Sequence, residues 1–426
     1  MYTTIKQIMT GAMGWAALRG WAARLRGSGG VAFVDLRDGT GHAQLVFDRS
    51  RLSDADFARA KSICLETPLE AEGEVVWRGE AFELIVDRFE ALPSETGFPL
   101  GRKEHGPDYL MDKRHLWIRS PRQAAILRIR DSLEWACVSF LREEGFYRFD
   151  SPLITPTACE GTTELFELGY FGASAYLSQS AQLYSEAGIA ALGKVYSLGP
   201  CFRAEKSMTR RHLTEFWGVE PEMAWVRAEE SIAFQERFLR AILERVSEDA
   251  AGDLASLGRD PAELRFPPSP FPILSYDDAL ASLARLGRVK RWGEDLSVED
   301  EEALSLRFDT PFFVYKYPVE CRAFYIEPDP DDPSLALSSD CLMHGGFGEI
   351  ITGGQRASDA GFLAARIEEH GLRRGDFEWY LDLRRWGGVP HSGFGMGIER
   401  MLRWICGLHH IREAIPFART PSRFAP

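Results

Sequence analysis

The chain has 426 residues, 45% of them hydrophobic and 27% charged, with a formal net charge of −13. That length suits two or three domains with a sizeable core, and the composition excludes a mainly disordered chain. No stretch approaches about twenty uncharged apolar residues, which excludes a membrane-spanning helix. Met1 to Gly30 carries scattered Arg and no charged-head, apolar-core, cleavage-site pattern, so no secretory signal is expected. The acidic total excludes a wholly basic nucleic-acid binder but leaves room for a local basic face. The seven cysteines are odd in number and form no CxxC, which argues against a disulfide framework or a zinc site and for a reducing cytoplasm.

In chain order, residues 14–91 alternate as short strands: Trp15 to Trp21, Val31 to Leu36, His42 to Phe47, Leu69 to Val76 and Phe82 to Val86. Gly-rich turns separate the early ones, and one helix-like piece, Asp54 to Ile63, interrupts the series. Five strands and one helix at this spacing predict a small OB-type barrel. Leu92 to Arg114 contains Pro and Gly and reads as a linker. Gln123 to Glu144 is helical by its apolar spacing at Ile126, Ile129, Leu133, Ala136 and Phe140. Strand-like runs follow at Lys194 to Phe202 and Thr214 to Val226, then a helix from Ser231 to Val246 and a Pro-rich break at Phe266 to Pro272. Short helices are expected at Asp277 to Leu286 and Asp300 to Leu306. Strands are expected at Phe312 to Tyr317, Ala323 to Ile326 and Glu349 to Gly354, with a closing helix after Gly397.

Three segments carry chemistry. Gly199 to Met223 reads as two strands around a polar loop with Arg203, Lys206, Arg210, Arg211 and His212. Guanidinium groups on such a hairpin can hold a polyphosphate or a nucleic-acid end; the plain alternative is a solvated charged hairpin. In Gly393-Phe-Gly-Met-Gly-Ile-Glu-Arg400, alternate glycines let a flat ring lie on the backbone, and Arg400 in the first helical turn can cover a base or hold a phosphate. In Ser338 to Arg356, Asp340 and Glu349 could share a magnesium ion with substrate phosphates, or be two unrelated surface acids.

Read together, Phe202-Arg-Ala-Glu205 with Arg210-Arg-His-Leu-Thr-Glu-Phe-Trp217, and Gly393 to Arg400, resemble the second and third signature motifs of class II aminoacyl-tRNA synthetases. Phe140 to Pro156 resembles the first, whose final proline sits at the dimer interface in that family. The wording resembles the aspartate/asparagine/lysine subgroup. Within it, Val389-Pro-His-Ser-Gly-Phe-Gly395, Glu215-Phe-Trp217 with Val219-Glu-Pro-Glu222, and Phe377 to Arg384 are similar to the asparagine-specific branch. The chain departs from that branch at Ala181, Lys316 and Thr352-Gly-Gly-Gln355.

The resemblance implies an α+β chain. It has an N-terminal OB-fold β-barrel for anticodon binding at 1–91, a linker at 92–118, and a catalytic domain at 119–426 built on a mainly antiparallel sheet flanked by helices. It implies ATP and Mg²⁺ as cofactors, asparagine and tRNA(Asn) as partners, a cytoplasmic homodimer and no membrane. Arg203 would hold the α-phosphate and the attacking carboxylate, with Glu205 near the adenine or its ribose. Phe216 would stack under the adenine, Arg400 would cover the ring or reach the γ-phosphate, and His212 would help bind the latter. Asp340 and Glu349 would hold magnesium. Glu160, Ser180, Gln182, Glu220 and Arg356 would form the amino-acid pocket. Ser185 stands where aspartate enzymes place a lysine, which favours an amide over a carboxylate substrate. Arg26, Phe33 and Gln44 would read the anticodon, and Arg210 and Arg211 would touch tRNA. Between Arg19 and Arg51 there are six Arg and three Asp, so this face is basic although the chain is acidic. For Phe33, a place in the barrel core is the competing reading. An aspartate enzyme that also charges the asparagine tRNA, an amidoligase-type adenylate-former working without tRNA, and a non-catalytic RNA-binding protein are the alternatives.

Overall fold

The computed structural model describes residues 2–11, 13–101, 103–157, 164–207 and 209–426. It separates into two compact units, Met1–Tyr109 and Leu110–Pro426. In the first, β1 (Trp15–Ser28), β2 (Val31–Arg37), β3 (His42–Asp48), β4 (Pro68–Arg78) and β5 (Ala81–Ala91) close into a barrel in the order β1-β2-β3-β5-β4. β1 is long enough to pair with both β2 and β4, and a bulge between Ala22 and Arg24 bends it from one partner to the other. The helix Asp54–Lys61, capped by Ser53, links β3 to β4. Alternation sets the faces: Ala32, Val34 and Leu36 of β2 point inward with Leu18, Leu45, Phe47, Leu84 and Val86, while Phe33 stays half-exposed.

Two short helices, Pro107–Asp112 and Arg114–Trp117, lie inside the stretch read as linker, and the second belongs to the second unit. The Arg114 side chain is buried and donates to the carbonyls of Pro416 and Ile415 and to Gln123, which ties this stretch to the C-terminal end of the chain. The helix Pro121–Glu143 starts at a Ser120 cap with Pro in its first turn, and buries Ile126, Ile129, Leu133 and Leu141.

The remaining strands are β6 (Tyr147–Arg148), β7 (Ile154–Thr155), β8 (Glu167–Tyr170), β9 (Ala173–Leu177), β10 (Lys194–Phe202), β11 (Glu215–Ala224), β12 (Ile273–Ser275), β13 (Phe312–Pro318), β14 (Leu335–Met343), β15 (Gly348–Gln355) and β16 (His391–Gly397). Eight form one sheet in the order β12-β13-β14-β15-β16-β11-β10-β6, antiparallel except at its two outer pairs; β7, β9 and β8 form a small second sheet. Ala323 to Ile326, expected as a strand, makes only one isolated bridge, between Ile326 and Arg356. Its backbone is spent instead on turns, with the Ile326 N–H bonded to the Ala323 carbonyl.

One face of the large sheet is covered by the helices Pro121–Glu143, Ala228–Asp249 and Ile398–Ile405. Val219, Met223, Ile351, Phe394 and Met396 from the strands join this core. Alternate residues of the same strands therefore look the other way, toward a cavity.

Candidate active site

β10 and β11 pair without irregularity from Lys194↔Met223 to Phe202↔Glu215. Just past β10, the Arg203 N–H donates to the Thr214 carbonyl at 3.0 Å, which holds the loop between the strands at its root. On β11, Val219 and Met223 enter the core, so Phe216, Gly218 and Glu220 face the cavity. On β16, Phe394 and Met396 enter the core, so Gly393, Gly395 and Gly397 take the cavity face.

The cavity has a volume of about 500 Å³. Arg203, His212, Phe216, Glu349 and Arg400 line it together with Ser180, Gln182, Glu220 and Arg356. These residues span more than two hundred positions of sequence, and the sheet order brings them to one wall.

One end is cationic. The Arg203 guanidinium lies 5.4 Å from the Phe216 ring centroid, and Arg400 Nη1 lies 2.5 Å from Glu349 Oε1. His212 is pushed down to about 4, first by burial and then by Arg400, Arg211 and Arg203. Burial would raise the Glu349 carboxyl, but the same three guanidinium groups outweigh it and hold it below the ordinary value. Two groups of opposite charge type thus report one positive field, which suits a polyanion.

The other end is built of closed ion pairs. The Arg356 guanidinium is paired with the Glu222 carboxylate, both almost fully buried. Glu220 Oε2 accepts from the Ala181 N–H at 2.7 Å. Beneath them Glu186, wholly buried, accepts from Tyr380 Oη at 2.6 Å and meets His391 Nε2 at 2.9 Å; Gln182 and Arg384 also bond to it. Burial opposes its charge, yet Arg384, His391 and Arg356 hold it at about 2.

Several expected positions fall elsewhere. Arg211, read as a tRNA contact, is only 4% exposed: it lines the cavity and donates to Glu301 at 2.6 Å, whereas Arg210 stays on the surface. Glu205 sits half-exposed in the loop after Arg203 and is not part of the cavity wall. Ser185 is fully buried in the helix Gln182–Leu192, also behind the wall. Asp340 does not line the cavity; its oxygens are taken by Arg322 Nη2 at 2.5 Å and Thr352 Oγ1 at 2.7 Å, while Glu349 is bound by Arg400. Glu160 lies outside the described residues. Sequence reasoning missed Glu186, Glu222, Glu301, Arg384 and His391 as site residues. Of these, Glu222 carried a readable signal, since two residues after Glu220 it must share its face.

On the barrel, Arg26 and Phe33 are register partners on β1 and β2, with the guanidinium 5.3 Å from the ring centroid. Arg26 also donates to the Gln44 amide oxygen on β3, and the Gln44 amide nitrogen donates to Glu83. The three expected residues are adjacent on the outer face, and Phe33 is not a core residue.

The catalytic unit matches the family model for class II tRNA synthetases (D, K and N) over residues 106–421, and residues 16–92 match the OB-fold nucleic acid binding domain. The chain is 49% identical over 421 residues to the asparagine--tRNA ligase of Thermus thermophilus, with 96% of each chain covered. It is 48% identical over 412 residues to that of Pelotomaculum thermopropionicum, again with 96% of each covered. Among solved structures, asparaginyl-tRNA synthetase from Pyrococcus horikoshii complexed with asparaginyl-adenylate is similar with a TM-score of 0.96 and 39% identity over all of both chains. With the family model covering most of its length, and a barrel and cavity of the kind its motifs led one to expect, the chain belongs to the class II tRNA synthetases of the aspartate, lysine and asparagine group.

Proposed function

We propose that the chain activates asparagine with ATP to an aminoacyl-adenylate and transfers it to the 3′-terminal ribose of tRNA(Asn). The observation that carries this reading is one cavity with two unlike ends: a surplus of guanidinium charge around Phe216, and a charge-closed pocket around Arg356 and Glu222. The nucleophile is the carboxylate of the amino acid, so the protein contributes position and field rather than a reacting side chain. Arg203 takes the α-phosphate and the incoming carboxylate, Phe216 carries the adenine, and Arg400, Arg211 and His212 take the outer phosphates. His212 does so as a neutral donor, because burial first and the neighbouring guanidinium groups second keep it unprotonated.

Selection of the amide follows from charge. Arg356 is already neutralised by Glu222, and Glu220 adds a further acid to the wall. An asparagine NH₂ can donate to such a wall, whereas an aspartate carboxylate meets like charge there, with Arg356 already taken by Glu222. Ser180 and Gln182 line the approach for the α-ammonium.

Magnesium fits at Glu349. Its carboxylate lines the cavity as a hard oxygen donor, and the surrounding guanidinium groups outweigh burial to keep it below its ordinary value. Among the described residues no group of three His, Cys, Asp or Glu could hold a metal ion alone, so substrate phosphates would complete its shell. Bound there, it would neutralise phosphate charge.

On the barrel, Arg26, Phe33 and Gln44 offer a stacking face and an edge donor for splayed bases. A homodimer is supported by exposed Tyr147, Leu153 and Ile154 on the run similar to the first motif, where β6 is a sheet edge, with exposed Trp135 on the helix before it. Among the described residues no helix is long and apolar enough to cross a membrane, in keeping with a cytoplasmic site of action.

The test is pyrophosphate exchange with a panel of amino acids, followed by charging of total tRNA. Asparagine alone should support exchange. Equal exchange with aspartate would overturn the pocket argument, and exchange without charging would point to the tRNA-independent adenylate-former.

A further inference from the structure

The helix Val298–Ser305 belongs to none of the three motif-like segments, yet it sends a carboxylate to the cationic end of the cavity. Glu301 Oε2 accepts from Arg211 Nη2 at 2.6 Å and from the Glu349 N–H at 2.9 Å. The pair is enclosed, with side-chain exposures of 3% for Arg211 and 11% for Glu301. The backbone beside it is shaped to fit. Gly348 takes φ +71°, and a Cβ there would stand 2.5 Å from Arg211 Nη1 and 2.9 Å from Glu301 Oε2. One nitrogen of the clamped guanidinium, Nη1, is buried and has no hydrogen-bond partner among the described residues. A guanidinium held on one side by a carboxylate, with its other nitrogen unmatched beside a cavity it lines, is set for an anionic oxygen.

We propose that Glu301 is a positioning residue for the pyrophosphate end of ATP: it fixes Arg211 and the Glu349 backbone so that Arg211 Nη1 meets an outer phosphate oxygen. This rests on the adenylate-forming reading above. Glu301 touches no substrate; it acts through Arg211. Without its charge, Arg211 would be free to turn toward Glu349, whose carbonyl oxygen already lies 3.4 Å from its Nη2. The clamp also joins the helix Val298–Ser305 to β15, so the outer wall of the cavity is set by an element remote in sequence from the motifs.

The experiment compares wild type with Glu301→Gln and Arg211→Lys in asparagine-dependent pyrophosphate exchange, with thermal melting alongside. Glu301→Gln keeps size and an acceptor for the Glu349 N–H but loses the charge. It should raise KM for ATP and for pyrophosphate about ten-fold or more, as loss of a charge-assisted hydrogen bond implies, while KM for asparagine stays within about two-fold. Arg211→Lys should do the same, and the double variant should be no worse than the poorer single one. A residue with only a structural role would lower the melting temperature and leave the KM values for ATP and pyrophosphate unmoved. That result, or fully additive losses in the double variant, overturns the proposal. Should Glu301→Gln fail to fold, Glu301→Asp tests the clamp by reach instead: the shortened side chain no longer spans Arg211 and the Glu349 N–H, so KM for ATP and for pyrophosphate should still rise, and unmoved values overturn the proposal. A wild type with no asparagine-dependent exchange would instead defeat the function proposed above.

Discussion

Replacing Gly393 by Ala tests how tightly the pocket is closed. The added Cβ would stand 2.1 Å from Glu222 Oε1 and 2.3 Å from Oε2. Ordinary contact needs about 3.5 Å, so the carboxylate must retreat by more than an ångström. It has nowhere to go. Glu222 is 1% exposed and its partner Arg356 4%, and burial already lifts the Glu222 carboxyl above its ordinary value with Arg356 beside it. Displacement weakens a charge-assisted pair and leaves Arg356 partly unmatched in a dry site, a loss of about 2–4 kcal/mol. For a unit of this size that is a fall of roughly 3–6 °C in melting temperature. Gly395→Ala is the control: its Cβ would lie 3.8 Å from Glu220, an ordinary contact, so melting should stay within about 2 °C of wild type. Calorimetry on both variants, with KM for asparagine from pyrophosphate exchange, measures the difference. If the two melt alike and KM for asparagine is unchanged in Gly393→Ala, the glycine is not there to make room for Glu222.

Three other outcomes follow from the same geometry. Arg203→Ala should abolish pyrophosphate exchange while melting as wild type, since its half-buried side chain lines the cavity; normal exchange removes it from the phosphate site. Gln44→Ala should weaken tRNA charging and spare adenylate formation, because Gln44 lies on the barrel; an equal loss in both assays contradicts anticodon reading. His212 should make stability fall as pH drops from its unfolded value near 6.5 toward about 4, because the unfolded chain takes up the proton that the folded site refuses. His212→Gln should flatten melting temperature against pH in that window, and an unchanged slope would show that His212 is not held neutral.

The fold was legible where one period dominated. β2 alternates Ala32, Val34 and Leu36 inward, and the long helix repeats Ile126, Ile129 and Leu133, so both elements could be drawn from spacing alone. Ala323 to Ile326 has strand-like residues, but no neighbour offers it a ladder, and pairing is a tertiary fact. The site was legible as a set of residue types and not as a set of faces. Arg210 and Arg211 look equivalent in a polar loop. Only the approach of Glu301, ninety positions away, buries one and leaves the other in solvent. Gly393, Gly395 and Gly397 were read as a bare shelf for a ring. Opposite Gly393 the space is filled by Glu222, while Gly395 and Gly397 keep ordinary clearance to Glu220 and Arg400.

The two ends of the cavity separate selectivity from reactivity. At the amide end Arg356 is matched by Glu222 and Arg384 by Glu186, so every described guanidinium there has its carboxylate before substrate arrives. A matched site gains from a dipole and is penalised by a net charge, which on the proposed reading is how asparagine would be told from aspartate. At the phosphate end Arg203, Arg211 and Arg400 gather around Glu349, with Glu301 behind it, and His212, lowered first by burial and then by these guanidinium groups, reports the positive field. A field of one sign costs stability, and it is fixed in place before the phosphate charge shifts. Moving one acid from the first end to the second would exchange these properties. Glu222→Gln, which frees Arg356 without adding a cation, should therefore raise aspartate activation relative to asparagine while leaving KM for ATP unchanged. A rise in KM for ATP of the same size would mean that the ends are not electrically separate.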